Sequence, residues 1–381
     1  MIRRMIKGEA CSPSASMSCT MAITMSDRTK VPSEPLYKAM VADGVDYRPW
    51  ESRGLGDDEC FVCTKAIGDG ERTTEDVIPK WILRKLRELG TQRAHILLPN
   101  LTQIPVNRIL LPTCRSCNGG HLSRIEKEVS AAFKVGPAAV RGLPEQTLRM
   151  WCTKIAYGLR RRDMQLASDR ANPASPKLAS KEDLESLWLL HMLLQETREV
   201  VHVPDGHSTF FVFESQTVGC NICDFDIAVP IGWPNAIMVR LGDVTLMGAV
   251  DDRGALDPLR SEPAFQASGQ LKLHPIQVRA LWAILVHRAH LLRIDRLPLR
   301  YGVAEQRLWI DRLPVINDPT DPSMERASAD KILTNLIDST DDVLAAHGGA
   351  SGLLARKNGT PRFIPFQHGV MQLGAPAHGW P

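Results

Sequence analysis

Residues 60–63 read Cys-Phe-Val-Cys and residues 114–117 read Cys-Arg-Ser-Cys, so the N-terminal half of the chain contains two C-x2-C turns. Each turn places two thiolates on one side of a tight loop, and two such turns complete a tetrahedral site for structural Zn²⁺. The predicted zinc ligands are Cys60, Cys63, Cys114 and Cys117. The two turns are separated by 50 residues, which is a longer spacing than in a simple zinc ribbon, so a folded segment is expected between them.

The other cysteines do not indicate a disulfide framework. The chain has nine Cys, an odd number, and its basic N-terminus is not followed by the apolar stretch of a secretion signal. Cys152 is expected in the core, and the pair Cys220 and Cys223 reads as small apolar residues at the start of a strand. We therefore predict a cytoplasmic protein.

The basic residues are concentrated in one segment. The 381-residue chain has a formal net charge of +3, but residues 60–170 carry 19 Lys and Arg against 10 Asp and Glu. Neutralisation of phosphates with release of counterions drives non-specific binding to nucleic acids, so such a segment is typical of proteins with a polyanionic partner. No stretch approaches the roughly 18 uninterrupted apolar residues of a membrane-spanning helix, so no membrane partner is expected.

Hydrophobic periodicity predicts an α+β protein. Residues 144–162 repeat apolar side chains at spacings of three and four, which predicts an amphipathic helix, and a second helix is predicted over Lys181–Arg198 with Ser180 as its N-cap. Short β-branched or aromatic runs between residues 209 and 247 predict an antiparallel sheet, and a further helix is expected from Pro275 to about Ile294.

The same patterns divide the chain into four segments. Residues 1–45 are predicted to be a disordered or extended lead-in, and residues 46–135 a zinc-binding domain. Residues 136–350 are predicted to be a helical plus antiparallel-sheet domain of unknown role, and residues 351–381 an irregular tail.

Polar motifs flank both cysteine turns. Residues 74–81 read Thr-Glu-Asp-Val-Ile-Pro-Lys-Trp, residues 106–111 read Val-Asn-Arg-Ile-Leu-Leu, and residues 118–121 read Asn-Gly-Gly-His. Together, Cys60–Glu126 resembles the HNH endonuclease family, in the branch where a four-cysteine zinc staples a ββα-metal motif. The resemblance covers about a sixth of the chain and implies an N-terminal zinc-bound ββα-metal nuclease unit. For the rest of the chain, the hydrophobic patterns predict a helical linker region and a C-terminal antiparallel sheet with helices.

The resemblance also assigns roles to single residues. Glu75 falls where the family places a carboxylate that holds catalytic Mg²⁺ or Mn²⁺, and Asn107 matches the Asn that steadies the loop and orients the base. Asn118 and His121 match the region that supplies the last metal ligand, and their i, i+3 spacing puts them on one helix face. The implied catalytic residues are thus Asp76, Asn107 and His121, and the implied ligands of the catalytic metal are Glu75, Asn118 and His121.

Asp76 departs from the family pattern, which has His at this position. Histidine accepts a proton at neutral pH, whereas an unperturbed Asp is a far weaker base. Three outcomes are open: Asp76 is an extra metal ligand beside a metal-bound water nucleophile, another histidine such as His95 is the base, or the site has lost activity and kept only binding.

Basic side chains close to these motifs are candidate contacts to DNA phosphates: Lys80, Arg84, Lys85, Arg115 and Arg124. The leading hypothesis is a metal-dependent HNH-like endonuclease that hydrolyses DNA. The alternative is a catalytically degenerate HNH-like protein that binds DNA or acts as a sensor. The region after residue 200 carries no chemical motif, and the oligomeric state is open.

Overall fold

The computed structural model of the chain describes residues 44, 47, 55–89, 94–98, 100, 103–169, 171–185, 187–217, 224–230, 235–291, 300–304, 307–311, 329–334, 344–345, 347–356 and 358–364. These residues form a mixed α/β structure with the antiparallel C-terminal sheet that the sequence predicts. The predicted lead-in at residues 1–45 lies almost wholly outside them, as do the pair Cys220 and Cys223 and the end of the predicted tail. In this described part, no helix combines the length and apolar composition required to cross a bilayer.

The N-terminal half, which carries the two cysteine turns, contains a two-stranded antiparallel ladder. Its elements are β1 (Arg72–Asp76), α1 (Lys80–Glu88), β2 (His95–Leu97), β3 (Gln103–Pro105), β4 (Leu110–Cys114), a π-helical segment (Ser116–Leu122) and α2 (Ser123–Val135). β1 pairs with β4 from Arg72 opposite Cys114 to Asp76 opposite Leu110, and β2 pairs with β3. The residues between the two cysteine turns are therefore folded, as predicted, into α1 and the β2–β3 hairpin.

A long buried helix packs against this half. The chain continues through α3 (Pro137–Arg141) and α4 (Glu145–Asp163), and nearly every residue of α4 is buried. α4 confirms the helix predicted over residues 144–162. It contacts both α2 and β4, and at Gly158 it approaches β1's end so closely that an added Cβ would lie 2.8 Å from Cγ1 of Val77.

The second predicted helix, Lys181–Arg198, is broken into three pieces. They are α5 (Lys181–Glu185), α6 (Trp188–Leu194) and a 3₁₀ turn (Gln195–Arg198). The predicted start is confirmed, because Ser180 Oγ accepts the Asp183 N–H and Asp183 accepts the Ser180 N–H. The break follows from burial: α5 is charged and mostly exposed, whereas the apolar α6 enters the core.

The C-terminal half is built on a four-stranded antiparallel sheet. After β5 (Val201–His202) come β6 (Thr209–Glu214), β7 (Phe225–Ala228), β8 (Ala236–Leu241) and β9 (Val244–Ala249), in the order β6-β9-β8-β7. They are followed by α7 (Pro263–Ser268), α8 (Pro275–Leu291), β10 (Arg300–Ala304), β11 (Arg307–Asp311) and α9 (Gly349–Leu354). β11 pairs antiparallel with β10 and parallel with β5.

Two apolar cores hold these elements together. The first includes side chains from both sides of the predicted boundary at residue 135: Trp81, Phe133 and Trp151 lie with ring centroids 5.4–6.1 Å apart. The second lies between one face of the sheet and α7, α8 and α9. α4 therefore joins the N-terminal half to the sheet through shared packing.

Candidate metal centre and adjoining polar site

The four cysteines of the two turns converge on one point. Cys60 and Cys63 lie in a tight turn whose Thr64 N–H donates to the Cys60 carbonyl, and this turn is fixed to β4 because Phe61 N–H donates to the Pro112 carbonyl. Cys114 ends β4, and Cys117 lies in the π-helical segment that follows. Pairing of β1 with β4 and the turn at residue 60 thus bring together thiols with 50 residues of chain between them.

The geometry of this cluster fits a tetrahedral metal ion. The Sγ atoms of Cys63 and Cys114 are 3.8 Å apart, and all four Sγ atoms lie within 4.8 Å of one another. Zn–S bonds of about 2.3 Å at tetrahedral angles place sulfurs about 3.8 Å apart. Cys60, Cys63 and Cys117 are buried and Cys114 is partly buried, which fits a closed structural site.

Electrostatics also favour a bound cation at this cluster. Hydrogen bonds shared with Cys60 and Cys63, together with burial, raise the pKa of the Cys117 thiol. Four thiolates this close repel one another unless a cation compensates their charge, and a four-cysteine donor set suits Zn²⁺. The predicted zinc ligands are therefore placed where they could bind one ion.

Glu75, the implied carboxylate ligand of a catalytic metal, is buried and already paired with a cation. Its carboxylate contacts Nζ of Lys154, a fully buried lysine in the middle of α4. The same Nζ lies 2.6 Å from Oε1 of Glu126 on α2 and donates to the backbone carbonyl of Asp76 at 2.7 Å. One ammonium group is thus surrounded by two carboxylates and a carbonyl.

The protonation of this group of residues follows from burial and charge. Burial raises the pKa of Glu75 to about 7; Lys154 opposes the rise and the neighbouring Glu126 carboxylate adds to it. Burial alone would lower the pKa of Lys154, but the two carboxylates outweigh it and raise this pKa. Lys154 is therefore charged at neutral pH.

Asp76 lies at the end of β1 with a different neighbour. Its carboxylate is 3.2 Å from Nζ of Lys80, an i, i+4 pair in which the Asp76 side chain is 14% exposed and the Lys80 side chain 72% exposed. Only the backbone carbonyl of Asp76 contacts Lys154. The Asp76 carboxylate thus borders the solvent, beside the first turn of α1.

Asn118 holds the π-helical segment against β1. Its Nδ2 donates to Oγ1 of Thr73 at 3.1 Å and to the carbonyl of Thr74 at 3.0 Å. Asn107 is an exposed residue of the 3₁₀ turn Val106–Arg108, which precedes β4. The structure thus gives Asn118 a positioning contact on the strand that carries Glu75 and Asp76.

His121 lies beside charged residues that follow α6. Burial lowers its pKa, the cations Arg198 and Arg124 add to this effect, and Glu199 and a hydrogen bond to the Thr197 backbone oppose it. Among the described residues, the four cysteines are the one group of three or more His, Cys, Asp or Glu side chains close enough to share an ion. Glu75 and His121 are not part of such a group there.

The five predicted DNA contacts fall on three parts of the surface. α1 buries Trp81, Ile82 and Leu86 and turns Lys80, Arg84 and Arg87 to its exposed side, whereas Lys85 is half-buried at the edge of the apolar side and pairs with Glu88 at 3.7 Å. Arg115 donates to the Gly70 carbonyl, and Arg124 pairs with Glu199 at 3.1 Å. The cationic face of α1, defined by Lys80, Arg84 and Arg87, therefore collects two of the five.

Sequence reasoning missed Lys154 and Glu126. The available signal was a single lysine inside the apolar repeat of α4, between Cys152 and Ile155. A lysine at a core position must meet carboxylates or carbonyls, and this expectation would have pointed to Glu75.

Comparison with models of protein families, with curated proteins and with solved structures gives no match for this chain. The resemblance to HNH endonucleases therefore rests on the sequence motifs alone.

Proposed function

We propose that this chain is a DNA-binding or sensor protein built on a zinc-stapled HNH-like unit that binds DNA without cleaving it. One observation carries the proposal: the ammonium group of Lys154 lies between Glu75, Glu126 and the Asp76 carbonyl. These are the hard oxygen donors that Mg²⁺ and Mn²⁺ prefer. In this chain an internal cation compensates them.

A lysine in this place changes the chemistry of the unit. A divalent metal lowers the pKa of a bound water and stabilises charge on phosphate oxygens. An ammonium group compensates the carboxylates but provides no open coordination position for water or phosphate. The presence of Asp76 where the family has histidine also disfavours cleavage, because an aspartate is a weaker general base than a histidine at neutral pH.

DNA binding is supported by the surface charge of the same half. The cationic face of α1 presents the three exposed basic side chains Lys80, Arg84 and Arg87. Phosphate contacts of this kind give affinity with little sequence selectivity and a steep dependence on salt.

The test of binding is a gel-shift titration of duplex DNA at several salt concentrations. The double variant Arg84→Gln/Arg87→Gln should bind DNA about tenfold or more weakly and with a shallower salt dependence, because two phosphate contacts are lost. The matched control is Lys127→Gln, which removes an exposed charge from α2 instead. Equal DNA affinity of the double variant and the wild type would contradict the proposal.

The second candidate is an active HNH-like endonuclease, and the position of Asp76 favours it. Its carboxylate borders the solvent at the end of β1, and its one ion-pair partner in the described structure is the exposed Lys80, which a metal ion could displace. Plasmid nicking with Mg²⁺ or Mn²⁺, with and without EDTA, separates the two functions. Metal-dependent nicking by the wild type that is lost in His121→Ala, at unchanged zinc content, would replace the binding proposal with the nuclease.

A further inference from the structure

A second cationic feature lies on the other face of the β1–β4 ladder. Neighbouring residues of a strand point to opposite faces, so Thr74 faces a cavity of about 720 Å³ while Glu75 faces Lys154. We name this cavity the hairpin cleft. Its walls come from β1, β4, the end of α4 and the segment at residues 55–57.

Four cations and one carboxylate line the described walls of the hairpin cleft. The cations are Arg72, Arg161, Arg162 and Lys177, and the carboxylate is Asp57. Arg72 donates to the backbone carbonyl of Asp57 at 2.7 Å, and Arg161 donates to the carbonyls of residues 55 and 56. Carbonyl acceptors orient a guanidinium but do not neutralise it, so these walls keep an excess of three positive charges.

Arg162 is the cation with the most hydrogen-bonding capacity left. It donates through Nη1 to Gln165, while its Nε is buried and has no hydrogen-bond partner among the described residues. Burial lowers the pKa of both Arg161 and Arg162, yet a guanidinium stays protonated in proteins. A desolvated charge with an unused donor favours an anionic ligand.

Beside the charged residues and the polar Thr74 and Gln165, the lining is apolar. Leu55, Leu110, Pro112 and Met164 contribute to the walls. A cavity of this size lies within the range of sites for small organic ligands, about 300–1,000 Å³. Cations beside an apolar wall match a ligand that joins a phosphate to a flat ring.

We propose that the hairpin cleft binds the phosphate of a nucleotide, with the base against its apolar wall. The nucleotide is either free or the 5′-phosphorylated end of a nucleic acid strand, since both present the same group. This site goes beyond the proposed binding of duplex DNA, and it shares none of the residues of the cationic face of α1.

The experiment is calorimetric titration of the full chain with ATP, with AMP, and with the same short single-stranded DNA bearing a 5′-phosphate or a 5′-hydroxyl. The variants Arg162→Gln and Lys177→Gln should each weaken binding of the phosphorylated probe about tenfold, as expected for loss of one charge-assisted contact. The control is Lys127→Gln, which lies outside the cleft, and thermal melting verifies folding. Lys177 is exposed, so its variant tests the site without a change in the core.

The outcomes distinguish the two sources of phosphate. Binding of ATP or AMP assigns a free nucleotide, and binding confined to the 5′-phosphorylated DNA assigns a strand end. The proposal is overturned if no nucleotide binds and the two DNA forms bind equally, or if both cleft variants retain wild-type affinity. The double variant Arg84→Gln/Arg87→Gln should leave nucleotide binding unchanged. The nucleotide-site proposal and the duplex-binding proposal can therefore be refuted independently of each other.

Discussion

The environment of Lys154 is the observation on which the proposed function depends most. It is fully buried, and two carboxylates and a carbonyl accept from its ammonium group. Burying three ionisable groups is costly unless all of them are paired. Each of the three therefore depends on the other two, and a change at one leaves charge without compensation.

Replacement of this lysine should unfold the protein more easily. We expect Lys154→Met to lower the free energy of unfolding by about 3–5 kcal/mol, because it leaves the buried Glu75 and the partly buried Glu126 without a cation. This loss of stability should be larger at pH 8 than at pH 6. Without Lys154, the pKa of the buried Glu75 carboxyl rises further above its value in the unfolded chain, and stability falls as the pH rises through that range. Urea denaturation at the two pH values measures this effect.

A double-mutant cycle tests whether Glu75 is the partner that matters. Lys154→Met/Glu75→Gln removes a charge of each sign and should recover part of the lost stability. If the double variant instead lost as much stability as the two single variants together, the two side chains would not be coupled. Lys127→Met, an exposed lysine on α2, controls for the loss of a lysine as such.

His274 makes the stability of the C-terminal half depend on pH. Burial lowers its pKa to about 4, and its Nδ1 accepts the Ile276 N–H at the start of α8. The unfolded chain takes up a proton near pH 6.5 and the folded chain only near pH 4, so stability is lost as the pH falls through this window, by about 3 kcal/mol. His274→Asn retains an acceptor at the N-cap and does not titrate, so the difference between the two proteins in urea denaturation from pH 7 to pH 4 measures the effect.

At the level of helices and strands, the contact between α4 and β1 fixes the candidate site. Gly158 allows α4 to approach Val77 closely enough for Lys154 to reach Glu75. Alanine favours a helix over glycine by up to about 1 kcal/mol, but its Cβ would lie 2.8 Å from Cγ1 of the buried Val77. Overpacking of this kind costs about 1–3 kcal/mol, so the clash outweighs the propensity.

We therefore expect Gly158→Ala to destabilise the protein by about 1 kcal/mol in thermal or urea denaturation. The double variant Gly158→Ala/Val77→Ala removes the clashing methyl groups. It should lose less stability than the sum of the two single changes. A strictly additive result would show that α4 does not touch the end of β1 in this way.

For the molecule as a whole, the four-cysteine cluster is expected to hold the N-terminal half together. The β1–β4 ladder has two strands, which are at most marginally stable alone. The purified chain should contain about one zinc per molecule, and removal of the metal with a strong chelator should lower the melting temperature. Cys117→Ser should lose zinc and stability together, whereas Cys152→Ser, in the apolar core, should keep its zinc; metal analysis by mass spectrometry measures the difference.

The sequence by itself determined the cysteine site, the helix over residues 144–162, the capped start at Ser180 and the antiparallel sheet. These features are local: a C-x2-C turn, a helical repeat, a capping pair and alternating strands each leave their signal within a few neighbouring residues. The break within Lys181–Arg198 was not visible, because burial of α6 against distant side chains decides it.

Only the tertiary structure decided the surroundings of the polar residues. Glu75, Glu126 and Lys154 come from β1, α2 and α4, and their contact depends on how these elements pack, a property that no local pattern encodes. The same holds for the hairpin cleft: Arg72 and Arg162 are 90 residues apart in the chain, yet both line this one cavity. The physical reason is that charge compensation acts through space, whereas periodicity and turn chemistry act along the chain.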